Sequence, residues 1–278
     1  MGDDTVIERS FVPIRNGRVH VAACGSGPPV LLLHQTPRSW DEFRDVLPLL
    51  GRRYRALAMD TMGFGDSTPL PAGQESIEAW ADAAHQLLTA LGHDTAIVVG
   101  HHTGAAIAVE MAASRPERVE ALVLSASPYV DAARRAASAG KKVVDEVTAS
   151  ADGRHLMELW AMRQAFYPDN RGDLLERFVI DALRAGPRAA EGHRVVGRYV
   201  MEPRLALVRC PTLVIAPTAD PHAYPHAARV AGDIAGSTLV EIENGMVPLP
   251  DHMPEQFAAA VERFLSGLKQ AATHTTMR

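Results

Sequence analysis

The sequence predicts an α/β fold built on a doubly wound, mainly parallel sheet, and three observations lead there. Six short apolar runs rich in Val, Leu and Ile recur along the chain, each the length of a strand buried on both faces. Amphipathic helical stretches alternate with them, as in strand–helix–strand crossovers. An antiparallel pair precedes the alternation, and one long strandless stretch interrupts it.

Taken in order, Val6–Ile14 and Arg18–Ala23 read as antiparallel strands. They are joined by Asn16-Gly17, the dipeptide that most readily supplies the positive φ angles of a tight hairpin. The buried runs follow at Pro29–Leu33, Arg55–Met59, Ala96–Val99, Val119–Leu124, Thr212–Ala216 and Thr238–Ile242. Between them Ile77, Trp80, Ala84, Leu87, Leu88 and Leu91 share one helical face, as do Phe257, Val261, Phe264, Leu265 and Leu268 further on. From Ser127 to Pro203 there is no strand, only helical segments such as Leu156–Phe166 and Leu174–Ala185, punctuated by Pro168, Gly172, Gly186 and Pro187. Ligands in such sheets bind outside the carboxyl ends of the strands, where an insertion after Leu124 emerges, so this stretch is expected to form a lid over a site. The expected division is a core domain of residues 1–126 and 204–278 and a helical cap of residues 127–203.

Composition bounds the function. With 278 residues, 47% of them hydrophobic, the chain can bury a large core. Its net charge is -5, and its 28 basic residues are spread out rather than clustered, so no basic stripe offers itself to nucleic acid. Met1–Ser10 is polar without an apolar leader core, and no window reaches the roughly 18 apolar residues of a membrane helix. A soluble, cytoplasmic protein is the expectation. Cys24 and Cys210 are too few for a disulfide framework or a zinc site and read as packing residues.

The site motif is Val98-Val99-Gly100-His101-His102-Thr103-Gly104-Ala105, a strand that turns at Gly-x-x-x-Gly straight into a helix over Ala105–Ala113. In such an elbow small residues let the chain turn so sharply that the central side chain is thrust into the pocket beside N–H groups at a helix N-terminus. The spacing is that of the G-x-S-x-G elbow, with His102 in the serine's place.

Four further landmarks agree. Leu31–Trp40, containing His34-Gln35, resembles the His-Gly loop that supplies an oxyanion N–H. Asp60–Ser67 resembles a D-x-x-G-x-G-x-S segment, and Pro211–Ala216 followed by Asp220 resembles the strand and acid of a triad. Pro254–Phe257 resembles the start of a last helix. Together, from about Val6 to Leu268, the chain resembles the α/β-hydrolase family. The resemblance implies an eight-stranded sheet with a helical cap, Asp220 as triad acid, and an oxyanion hole from the N–H groups of Gln35 and Thr103, although Gln35 stands where Gly is usual.

Two departures matter. The nucleophile position holds His102, and the catalytic-histidine position, counted from Gly245, holds Met246; His252 lies six residues further on. A Ser-His-Asp hydrolase is thereby excluded, because methionine accepts no proton and His102 has no hydroxyl. The longer imidazole of His102 is instead expected to approach Asp220 and act as general base or nucleophile. His34, Met246 and Trp160 are expected to line the site, and Trp40, Phe166, Tyr167 and Tyr199 divide between pocket and core. His101 reads as packing beside the nucleophile, and His34 as shaping its loop through backbone hydrogen bonds. His222 and His226 have helical spacing but no third ligand, so no metal is expected, nor any cofactor.

Three functions fit this altered site. One is a hydrolase cleaving a small ester, lactone or activated carbonyl; another is a cofactor-free lyase, cyclase or oxygenase using His102 as base. The third is a catalytically inactive small-molecule binding protein. In each the partner is a small molecule, with no nucleic acid and no membrane, and homodimerisation is left open.

Overall fold

In the computed structural model, which describes residues 6–276, the six apolar runs form six adjacent strands of an eight-stranded sheet, out to one of its edges. Its strands are β1 (Glu8–Ile14), β2 (Gly17–Cys24), β3 (Pro29–Leu33), β4 (Arg55–Met59), β5 (Ala96–His101), β6 (Val119–Ser125), β7 (Thr212–Pro217) and β8 (Thr238–Ile242), in the order β1-β2-β4-β3-β5-β6-β7-β8. Only β2 runs against its neighbours. Met1–Thr5, the beginning of the polar N-terminal stretch, lie outside the described residues.

The hairpin differs from its expected form. Ile14 pairs with Gly17, so the two-residue turn is Arg15-Asn16 and not Asn16-Gly17. Gly17 takes φ +136°, while Asn16 has no positive φ. The glycine therefore serves as the first residue of β2, where a side chain would also run into Thr68.

Each inner strand divides its apolar residues between two cores because successive side chains point to opposite faces. Leu31, Leu33, Val98, Leu122, Leu124 and Val214 join one core, with α2 (Ile77–Ala90), which follows the short α1 (Leu47–Gly51), and α3 (Thr103–Ser114) packed over it. Val30, Leu32, Ile97, Val99, Val123 and Ile215 join the other, covered by Phe257, Val261 and Leu265 of the helix spanning Pro254–Thr276. Ser76 caps α2 by accepting the Ala79 N–H at 3.1 Å. No helix among the described residues is long and apolar enough to cross a membrane.

The connection from β6 to β7 holds no strand, only loops and the helices α4 (Ala132–Ser138), α5 (Arg154–Gln164), α6 (Gly172–Ala185), α7 (Arg188–Arg198) and α8 (Glu202–Leu205). Leu159, Tyr167, Leu174, Leu175 and Phe178 give it a small core of its own. It lies at the carboxyl ends of the strands. Gly192 of α7 sits so close above the loop after β3 that a Cβ there would come within 2.8 Å of Thr36 Cγ2.

A buried ionic network ties the insertion down. Arg38, fully buried, binds Asp181 of α6 at 3.0 Å, Asp41 at 3.3 Å, and Asp251 more tightly still. Arg177 of α6 reaches Asp41 at 2.6 Å and Asp251 at 2.9 Å. Two arginines shared among three acids on separate segments keep these buried charges compensated.

Candidate active site

The elbow forms because two glycines permit it. A Cβ on Gly100 would stand 2.2 Å from the Gly104 carbonyl oxygen, and one on Gly104 would stand 1.9 Å from that of Leu33. Between them His102 takes φ +47°, ψ -112°, at the N-cap of α3, a conformation that costs a non-glycine residue about 1–3 kcal/mol. Its N–H bonds the Ser125 carbonyl at 3.0 Å, and the turn lifts its ring into a cavity of about 1170 Å³.

Across that cavity floor His102 Nε2 lies 2.8 Å from Asp220 Oδ2. The approach is off-axis, a close contact rather than an aligned hydrogen bond. Asp220 follows β7, and its carboxylate is fully buried. Its other oxygen accepts the N–H groups of His222 at 2.8 Å and Ala223 at 3.1 Å. Burial opposes its ionisation, but the neighbouring His102 and these donors prevail, so the carboxyl sits well below the usual carboxylate range. His102 Nδ1 has no partner among the described residues.

His101 braces the elbow from below. Its Nε2 donates to the Val247 carbonyl at 2.8 Å, and its Nδ1 accepts from the Ser125 hydroxyl at 3.0 Å. Burial pushes its pKa down to about 3, so it is neutral and its ring stands edge-on to that of His102 at 4.8 Å.

The oxyanion loop departs from the sequence expectation. The Gln35 N–H donates to Glu42 Oε2 at 2.8 Å, and the Gln35 amide donates to the other oxygen of that buried carboxyl. Burial raises the Glu42 pKa to about 8. The Gln35 N–H is thus occupied and not free to face an oxyanion. The next residue, Thr36, lines the cavity, and its hydroxyl meets that of Thr103 at 2.9 Å. Among the described residues the Thr36 N–H has no acceptor. Thr103, the first residue of α3, also lines the cavity.

Three residues expected to line the site stand elsewhere. His34 is fully buried beneath the loop, with Nδ1 donating to the Gln35 carbonyl at 2.7 Å and Nε2 accepting the Thr61 N–H at 2.9 Å. The cavity wall is formed by Val247 in place of Met246, because the His101 bond draws the Val247 segment against the elbow. Trp160 packs against the insertion's own core. His252 occupies a short helix, Leu249–His252, outside the cavity wall. Of the aromatic residues Phe166 lines the cavity, its ring 4.6 Å from that of His222. Tyr167 joins the insertion core and Tyr199 bonds Glu110 at 2.8 Å. Trp40 stacks under Arg9.

Sequence reading gave no place to Glu42, Arg38, Arg134 or the pair His193–Asp145 at 2.7 Å. Histidine or arginine opposite an acid about fifty or more positions away carries no spacing signal. As for metals, the three-donor grouping among the described residues is His20, Asp60 and Asp66. The Arg9 guanidinium already bonds His20 at 3.0 Å and Asp66 at 2.7 Å, standing where a cation would.

Comparison with known proteins places this geometry. The chain is 35% identical over 120 residues to the soluble epoxide hydrolase of Corynebacterium sp. (strain C12), covering 43% of this chain and 42% of that protein. It is 40% identical over 120 residues to epoxide hydrolase 2 of Siraitia grosvenorii, covering 42% and 38%. The match thus spans less than half the length of either relative. Among solved structures, an esterase from Rhodococcus sp. ECU1013 superposes with a TM-score of 0.78 at 23% identity, covering 94% of this chain and 98% of that one. The sequence model of the α/β hydrolase fold matches residues 28–245, and the chain belongs to that family.

Proposed function

We propose that the chain is a hydrolase that cleaves a small ester, lactone or activated carbonyl compound with His102 as general base. The observation that carries this is the His102–Asp220 contact at 2.8 Å on the floor of a cavity large enough for a small molecule. Asp220 engages Nε2, so the nitrogen left for chemistry is Nδ1. That atom adjoins the ring carbon bearing the side chain, and an acyl group on it would crowd the elbow. Proton abstraction from water therefore suits it better than covalent attack.

In this reading water adds to the substrate carbonyl as Nδ1 takes its proton. The charge that develops on the carbonyl oxygen is met by the N–H groups of Thr103 and Thr36, backbone donors that need no particular side chain. Collapse expels the alcohol, which recovers the proton from His102. Asp220 holds the imidazole in the correct tautomer throughout. The insertion acts as a cap that limits water, with the Arg38 network holding it closed.

A panel of p-nitrophenyl esters, lactones and, given the named relatives, a terminal epoxide tests this. His102→Ala is expected to lower kcat/KM by about 10²-fold or more without loss of thermal stability. Unchanged turnover of any substrate by that variant would overturn His102 as the base, and no turnover of any member of the panel by the wild type would leave a binding protein in front.

A further inference from the structure

The cavity wall is not neutral. Arg135 pairs with Glu202 at 2.6 Å and Arg198 with Glu191 at 2.8 Å, while Arg163 and Arg194 are held closely by Asp145 and Glu146. Arg134, Lys141 and Lys142 line the same cavity, and among the described residues none of the three has a carboxylate within ion-pair distance. The neighbouring acid, Asp131, is already committed. Asp131 accepts the Arg134 backbone N–H at 2.8 Å with one oxygen and binds Arg229 at 2.9 Å with the other. A protein whose net charge is -5 therefore concentrates three cations without an ion-pair partner among the described residues around one cavity.

Arg134 is the informative one. It is half-buried in α4, where burial disfavours its charged form, and an unpaired guanidinium in that position is costly unless something compensates it. Arg134 and His222, two residues after Asp220, both line this cavity and a second, smaller hollow beside it. Lys141 and Lys142 are exposed on the loop after α4, placed to draw an anion inward.

We infer that the cavity takes a small molecule bearing a carboxylate, which the Arg134 guanidinium binds on the His222 side of the cavity while the molecule's carbonyl is presented to His102. The carbonyl's place rests on the proposed hydrolysis, whereas the carboxylate site stands on the cavity alone. Guanidinium matches a carboxylate with paired N–H donors, and such charge-assisted bonds are roughly twice as strong as neutral ones.

Calorimetric titration of the wild-type protein with phenylacetate and with phenylacetamide tests the site without turnover. Phenylacetate is expected to bind about tenfold or more tightly, and Arg134→Gln to abolish that preference while leaving the amide's binding and the melting temperature unchanged. A preference that is absent, or that survives Arg134→Gln, overturns the inference. Inorganic phosphate that displaces phenylacetate at equal or lower concentration also overturns it, assigning the cations to phosphate. A kinetic arm compares mono-p-nitrophenyl glutarate with p-nitrophenyl butyrate, and Arg134→Gln should raise KM for the anionic ester alone. Carboxylate binding without cleavage of either ester would retain this inference and reject the hydrolytic reading. Cleavage of both esters with equal KM would do the reverse.

Discussion

Asp220→Asn isolates the contribution of the acid, because the structure dictates which way the new amide must face. Asp220 Oδ1 accepts two backbone N–H groups, from His222 and Ala223, so the asparagine must place its carbonyl oxygen there or leave both donors unmet in a fully buried position. The amide NH₂ then faces His102 Nε2 across 2.8 Å. A donor there converts Nε2 from proton carrier to acceptor and transfers the ring proton to Nδ1, the nitrogen that must accept one from water. The fold should be preserved, and the base should be lost through its tautomer. In a serine-protease triad the same change costs about 10⁴ in kcat, and a loss of about 10³ to 10⁴ is expected here. Steady-state hydrolysis of a confirmed ester measures it, with KM expected to stay within about threefold. Asp220→Asn with kcat within threefold of wild type would show that the acid does not set the tautomer, and would refute the assignment of Nδ1 as base.

Further outcomes follow from the same geometry. Gly104→Ala forces a Cβ to 1.9 Å from the Leu33 carbonyl oxygen, so urea unfolding should show a loss of about 3 kcal/mol or more; a loss below 1 kcal/mol would mean the elbow can relax. His101 is neutral when folded down to about pH 3 but titrates near 6.5 when unfolded, so between these values the unfolded state binds the extra proton and stability falls as pH falls. The group contributes a slope of about 1.4 kcal/mol per pH unit, and His101→Gln should flatten the stability profile between pH 6.5 and 4.5. Fluorophosphonate probes should leave the wild type unlabelled because the nucleophile position holds His102 in place of a hydroxyl. His102→Ser together with Val247→His, at the position that faces the cavity, should gain labelling and some esterase activity, while either change alone gains little; labelling of the wild type at a serine would show another nucleophile in the cavity.

Much of the scaffold was legible in the sequence because its signals are local. The strands at Pro29–Leu33, Arg55–Met59 and Thr238–Ile242 have the bounds their apolar runs imply. The elbow was readable because Gly100 and Gly104 bracket a turn that tolerates no Cβ. Strand ends were less legible. β5 and β6 extend to His101 and Ser125, polar residues that hydrogen bonding across the sheet, and not hydrophobicity, draws into the strands. The hairpin slipped by one residue for a related reason: the register between β1 and β2 decides which of Asn16 and Gly17 sits in the turn.

The order of elements, the family and the position of His102 were therefore determined by the sequence alone, since each depends on spacing along one stretch of chain. What surrounds His102 was decided by tertiary structure, since it depends on which distant groups meet. Whether Gln35 offers its N–H to a ligand depends on Glu42, whose carboxyl takes it. Whether Met246 or Val247 faces the cavity depends on a bond from His101 to the Val247 carbonyl, 146 positions away. Nothing local to Arg38 marks it as buried; Asp181 and Asp251, which enclose it, lie more than 140 positions away. Hydrophobic periodicity follows from the geometry of a single helix or strand, whereas a polar group's role is set by its partner, and partners far apart in sequence are chosen only when the chain closes.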